Sequence, residues 1–146
     1  PVYNNRGLIL AKMGDIEGAK AALKQAAQLD PANAGMYYYN MGAELTNRGD
    51  AAGATEAFKV ATEADPKHVN AQFQLAMSLI GQAKMDDKGN VVPPPGTLEA
   101  LNKVIELAPN SAQATEAKAM IETLSGSVDT RYTAPGAQKA KPAKRK

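Results

Sequence analysis

KMGDIEGAKAALKQAAQLDP, residues 12–31, is answered by NRGDAAGATEAFKVATEADP, residues 47–66. Gly14, Ala19, Ala26 and Pro31 return as Gly49, Ala54, Ala61 and Pro66, each 35 positions further on. Upstream, Gly7 returns as Gly42 at the same offset. A repeat of this length holding two helical patterns reads as helical hairpins stacked into a solenoid. Local signals agree. The first helix runs to Gly14, and Asp15 then caps a second that continues to Leu29. Pro31 ends it by removing a donor and restricting Asp30. Gly49, Asp50 and Pro66 repeat the plan.

Composition fits an all-α chain. Of its 146 residues, 44% are hydrophobic and only 5% aromatic. Much of the apolar content is alanine, which suits close helix packing. With no cysteine there is no disulfide, thiolate metal site or cysteine nucleophile. No apolar run is long enough to span a membrane. Charge is uneven. Residues 129–146 carry Arg131, Lys139, Lys141, Lys144, Arg145 and Lys146 against Asp129, so the tail is basic while the body is mildly acidic. A start at Pro1 reads as a piece of something longer.

The second unit runs Tyr38-x2-Met41-Gly42-x2-Leu45, then Ala54-x3-Phe58, then Pro66. The first has Tyr3, Gly7 and Leu10, then Ala19-x3-Leu23, then Pro31. Both resemble the tetratricopeptide repeat, departing from it at Arg6, where the family has leucine. The resemblance covers Pro1 to Pro66 and looks like that of bacterial members. It implies a solenoid of three hairpins, residues 1–33, 34–67 and 68–109, serving as a protein-binding scaffold. The third hairpin is interrupted. HVNAQFQLAMSLIGQAK and TLEALNKVIELAP supply its two helices, with an insertion at 84–96 ending in Pro93, Pro94 and Pro95. Those prolines favour an extended path. Gly96 and Thr97 restart the helix, with Thr97 as its N-cap, and the insertion shortens the helix start. A capping helix, 111–125, opens at Ser111 and carries a stripe of Ala114, Ala117, Met120, Ile121 and Leu124. Residues 126–146 read as a basic low-complexity tail.

Two surfaces want partners. By the family pattern, the concave groove takes Asn4, Leu8 and Ala11 from the first unit. It takes Met36, Tyr39, Ala43 and Asn47 from the second, and Asn70, Phe73, Met77 and Ile80 from the third. Lysine and arginine are missing from this set. The clamp with which some family members hold an acidic C-terminal peptide is therefore not expected. A partner segment with apolar anchors is. The second surface is the stripe Val2, Ile9 and Met13 on the first helix, where the family packs a preceding hairpin. Either further repeats cover it or another molecule stacks there. Head-to-tail stacking of copies would build a fibre, with Val128 and Tyr132 of the tail as apolar anchors. Charge on Lys139, Lys141, Lys144, Arg145 and Lys146 offers a weaker alternative, contact with nucleic acid or an anionic surface.

Catalytic patterns are absent. His68, the single histidine, reads as a surface turn residue after Asp65, Pro66 and Lys67. Asp86, Asp87, Lys88, Gly89 and Asn90 read as a solvated β-turn, lacking the spacing of a calcium loop. No phosphate loop or dinucleotide motif occurs. The expectation is a non-enzyme with no cofactor and no metal. Finally, Tyr37, Tyr38 and Tyr39 stand in a row, so on a helix they must face three ways. Tyr38 is expected in the hairpin core, Tyr37 toward the preceding hairpin and Tyr39 in the groove.

Overall fold

The computed structural model describes residues 2–87 and 89–127. Seven helices occur among them. They are α1 (Val2–Met13), α2 (Ile16–Leu29), α3 (Ala34–Asn47), α4 (Ala51–Ala64), α5 (Val69–Ile80), α6 (Thr97–Leu107) and α7 (Ala112–Ser127), with a 3-10 turn at Pro31–Asn33. Each helix packs on the next, α1 also meets α3, and the result is an all-α helical-repeat solenoid.

The turns inside the first two hairpins are the same object made twice. Gly14 and Gly49 take positive φ of 88° and 79°, which a side chain would resist. The next amides, of Asp15 and Asp50, each donate 2.9 Å back to Leu10 and Leu45 carbonyls, closing the preceding helix. The same two aspartates then accept from Gly18 and Gly53 amides at 2.9 Å, opening the following one. Helix termination and initiation thus share two residues.

Within each hairpin a glycine lets the two helices approach. A Cβ on Gly7 would stand 2.7 Å from Leu23 Cγ, and one on Gly42 would stand 2.5 Å from the Phe58 ring. Leu23 and Phe58 are consequently buried. The core forms two clusters. One joins Leu23, Tyr37, Met41, Leu45 and Phe58 of the first two hairpins. The other joins Ala76, Leu101, Val104, Ala117 and Leu124 of the third hairpin and α7. Leu75 packs against both.

The insertion is more ordered than an extended proline path. β1 (Lys84–Met85) pairs antiparallel with β2 (Val91–Val92), Lys84 opposite Val92 and Met85 opposite Val91. Its tip is the anticipated turn, with the Gly89 amide donating 3.0 Å to the Asp86 carbonyl. Asn90 donates to the Asp86 carboxylate from both backbone and side chain. β2 lies beside α7, and Val91 packs on the second cluster. α6 is short, 11 residues against 14 in α2 and α4. Its cap differs from expectation. Gly96, at φ 89°, is the N-cap, while Thr97 is inside the helix and its hydroxyl donates 2.7 Å to the Pro94 carbonyl. At that left-handed φ a residue with a Cβ would be strained, so glycine holds the cap position. Ser111 caps α7, accepting from the Ala114 amide at 3.0 Å.

Candidate protein-interaction surfaces

The three tyrosines do face three ways, but Tyr37 is the most deeply buried of them. Tyr37 is the core member, only 4% exposed, and its hydroxyl donates 2.6 Å to Asp30 at the end of α2. It reaches the preceding hairpin, as its place on the helix implied. Tyr38, expected in the core, packs against the first cluster but is only half-buried, with Lys20 and Lys24 of α2 and Val60 of α4 around it. Burial pushes the Tyr38 phenol up from its usual range.

Tyr39 is held by two rings. Its centroid lies 5.9 Å from Phe58 and 4.9 Å from His68. His68 is therefore more than a turn residue. It caps α5, its Nδ1 accepting from the Ala71 amide at 3.1 Å. A histidine capping a helix while stacking on an aromatic has no spacing signature, and only its place before the helix hints at the role.

The remaining groove candidates divide. Met36 and Asn47 are exposed, and Asn4, Leu8 and Ala43 are half-buried. Ala11 is fully buried in the first cluster and touches no solvent. That burial removes it from the candidate set. Asn4 Oδ1 is buried without a hydrogen-bond partner among the described residues. On α5, Asn70 accepts from the Gln113 side chain of α7 at 2.9 Å. Ile80 faces Met120 and Leu124 of α7 across a cavity of about 220 Å³. Phe73 leans on the second cluster. Met77 lines a cavity of about 270 Å³ together with Thr46, Ala51 and Ala54 of the second hairpin. The capping helix thus occupies much of the third hairpin's share of the face.

On the first helix, Val2, Ile9 and Met13 are 76%, 58% and 76% exposed. The corresponding joint between the first two hairpins is polar. Arg48 Nη1 donates 2.7 Å to the Lys12 carbonyl, satisfying an open acceptor at the negative end of α1. Val128, Tyr132 and the basic side chains 139–146 lie outside the described residues. Among those described, no three histidine, cysteine or carboxylate side chains gather as a metal would require. No helix is long and apolar enough to cross a membrane.

Comparison with known proteins agrees with this geometry. Residues 1–33 match the family model described as tetratricopeptide repeat. The first tetratricopeptide repeat domain of Spaghetti (RPAP3), solved bound to the HSP90 peptide SRMEEVD, superposes with a TM-score of 0.55 at 18% identity. The match covers 85% of this chain and 91% of that one. The Sgt2 tetratricopeptide domain from Aspergillus fumigatus gives 0.51 at 25% identity, covering 97% and 88%. YrrB, a tetratricopeptide protein with an unusual peptide-binding site, gives 0.50 at 25% identity, covering 80% of this chain and 55% of that one. No curated protein matches the sequence. The chain has the fold of tetratricopeptide-repeat solenoids, and its first 33 residues match that family's model.

Proposed function

We propose that the chain is a protein-interaction scaffold. On this reading it holds a partner segment with apolar anchors against α1 and α3, and performs no chemistry. The observation that carries it is the uncharged strip Leu8, Met36, Tyr39, Ala43 and Asn47, in which Tyr39 is fixed in place by His68 and Phe58. A ring held in one pose loses little entropy on binding. Relatives in fold support a peptide ligand, since Spaghetti was solved with one and YrrB is described as having a site for one. The Spaghetti peptide is acidic, whereas this strip offers no lysine or arginine to meet such a sequence. The test is selection from a random peptide library on the purified chain. Neutral peptides with bulky apolar residues are expected, and Tyr39→Ala should weaken them about tenfold or more with helicity unchanged. Enrichment of acidic C-termini, or binding indifferent to Tyr39→Ala, would refute the reading.

A second reading rests on the exposed Val2, Ile9 and Met13 stripe, which suits stacking of another hairpin or another copy. Sedimentation across a wide concentration range checks self-assembly. Growth abolished by Ile9→Asp supports it, and a monomer at every concentration rejects it. Association of the basic tail with nucleic acid is the least favoured reading, and deletion of residues 139–146 addresses it.

A further inference from the structure

The outer side of the solenoid carries a feature that repeats between hairpins and is filled only once. Between α2 and α4 a groove of about 270 Å³ is walled by Lys24, Gly53 and Glu56 and floored by Tyr38 and Met41. Between α4 and α6 a groove of about 570 Å³ is walled by Lys59, Gly96 and Glu99 and floored by Gln72 and Leu75. The two sets occupy matching positions. Lys24 becomes Lys59 at the 35-residue repeat, while Tyr38 and Met41 become Gln72 and Leu75 at an offset of 34. Gly53 and Glu56 become Gly96 and Glu99 at an offset of 43, which absorbs the insertion. Where the first groove contains an aromatic ring, the second contains an amide and open space. Pro95 and Gly96, just ahead of the short α6, line this second groove.

The vacant groove has a particular chemistry. Leu75, Leu79 and Pro95 give it apolar surface. Gln72 is 92% buried by its 8% exposure, and its Nε2 is committed to the Pro66 carbonyl at 3.1 Å. No described residue donates to its Oε1, which leaves an acceptor at the floor. Lys59 and Glu63 stand on one wall with Glu99 and Lys103 on the other, and Lys103 is already paired with Glu106 at 2.9 Å. The rim is balanced in charge and favours neither an acid nor a base.

We propose that this outer groove is a second docking site, and that it takes a tyrosine side chain presented by a partner protein. The ring replaces the one the third repeat lacks, packing on Leu75, Leu79 and Pro95. Its hydroxyl donates to Gln72 Oε1. A phenol satisfies both the apolar walls and the free acceptor at the floor, whereas a phenylalanine ring would bury that acceptor unpaired. The site is separate from the α1 and α3 strip, so failure of one reading leaves the other standing.

The experiment titrates the full chain with N-acetyl-tyrosinamide and with N-acetyl-phenylalaninamide, followed by methyl NMR of Leu75 and Leu79. Both methyl sets should shift, and the tyrosine compound should bind about fivefold tighter, the ratio one net hydrogen bond supplies. Gln72→Tyr, which copies the residue the second repeat already accommodates, should abolish the response to both. Gln72→Leu should keep the response and bring the ratio to about one. Unmoved methyls, equal affinity of the two compounds for the natural chain, or undiminished binding by Gln72→Tyr would overturn the proposal.

Discussion

At the scale of single residues, the contact between Tyr37 and Asp30 ties pH to stability. Hydrogen bonds from Tyr37 first, and from Asn33 at 2.8 Å, hold the Asp30 carboxyl below its usual range. The same bond pushes the Tyr37 phenol above its own. A depressed carboxylate contributes fully above its unfolded value of about 4, and the contribution fades as pH falls through the lower native value. Tyr37→Phe should therefore lower the urea midpoint near neutral pH, and its gap from the natural chain should narrow in acid. Urea titrations of both chains across that range measure it. His68 makes a second residue-scale case. His68→Ala should cost about 1 kcal/mol through the lost α5 cap. His68→Asn should recover most of that while leaving Tyr39 without its stacking partner, so peptide affinity should fall although stability returns.

At the scale of elements, glycines on one structure should respond in opposite senses. Gly42→Ala drives a methyl into the Phe58 ring and should destabilise by roughly 1–3 kcal/mol. Gly81 ends α5 in ordinary right-handed geometry, and its added methyl would meet carbonyls no nearer than 3.6 Å. Gly81→Ala should be stabilising by about 0.5 kcal/mol, since it restricts the unfolded chain more than it strains the folded one. Thermal melts of both variants decide the signs. The elements themselves were legible because their boundaries are written in short-range chemistry: aspartate caps, positive-φ glycines, prolines. The β-arm was less so. Four paired residues leave no periodicity to read, and Pro93 to Pro95 spoke more loudly than Val91 and Val92. Side-chain direction was the other gap. Tyr37, Tyr38 and Tyr39 were separable by angle, but how deeply each is buried depends on where α2, α4 and His68 come to rest around α3.

At the scale of the whole molecule, stability is divided between two clusters that share Leu75. Leu75→Ala should destabilise, by less than the roughly 2–5 kcal/mol of a fully buried leucine because Leu75 is half-buried, and should also uncouple the halves. Hydrogen exchange would then show amides of α1–α4 and of α5–α7 opening with separate free energies, where the natural chain shows closer values. Surface assignments at this scale were only partly readable. The exposed Val2, Ile9 and Met13 stripe followed from helix period, whereas the loss of Asn70 and Ile80 to α7 required knowing where the capping helix comes to rest.

The two-residue turn at Gly14–Asp15 and Gly49–Asp50 has an implication for construction. Both aspartates have the same backbone torsions, φ −82° and ψ 78°, although the helices they join differ in most outward positions. The joint is indifferent to its cargo. Residues 14–48 therefore run from one such joint to the next and form a transferable cassette. Inserting a second copy of that cassette after Arg48 should lengthen the array by one hairpin with the junction intact. A chain of this kind can be extended like masonry, new courses laid on an unchanged bond.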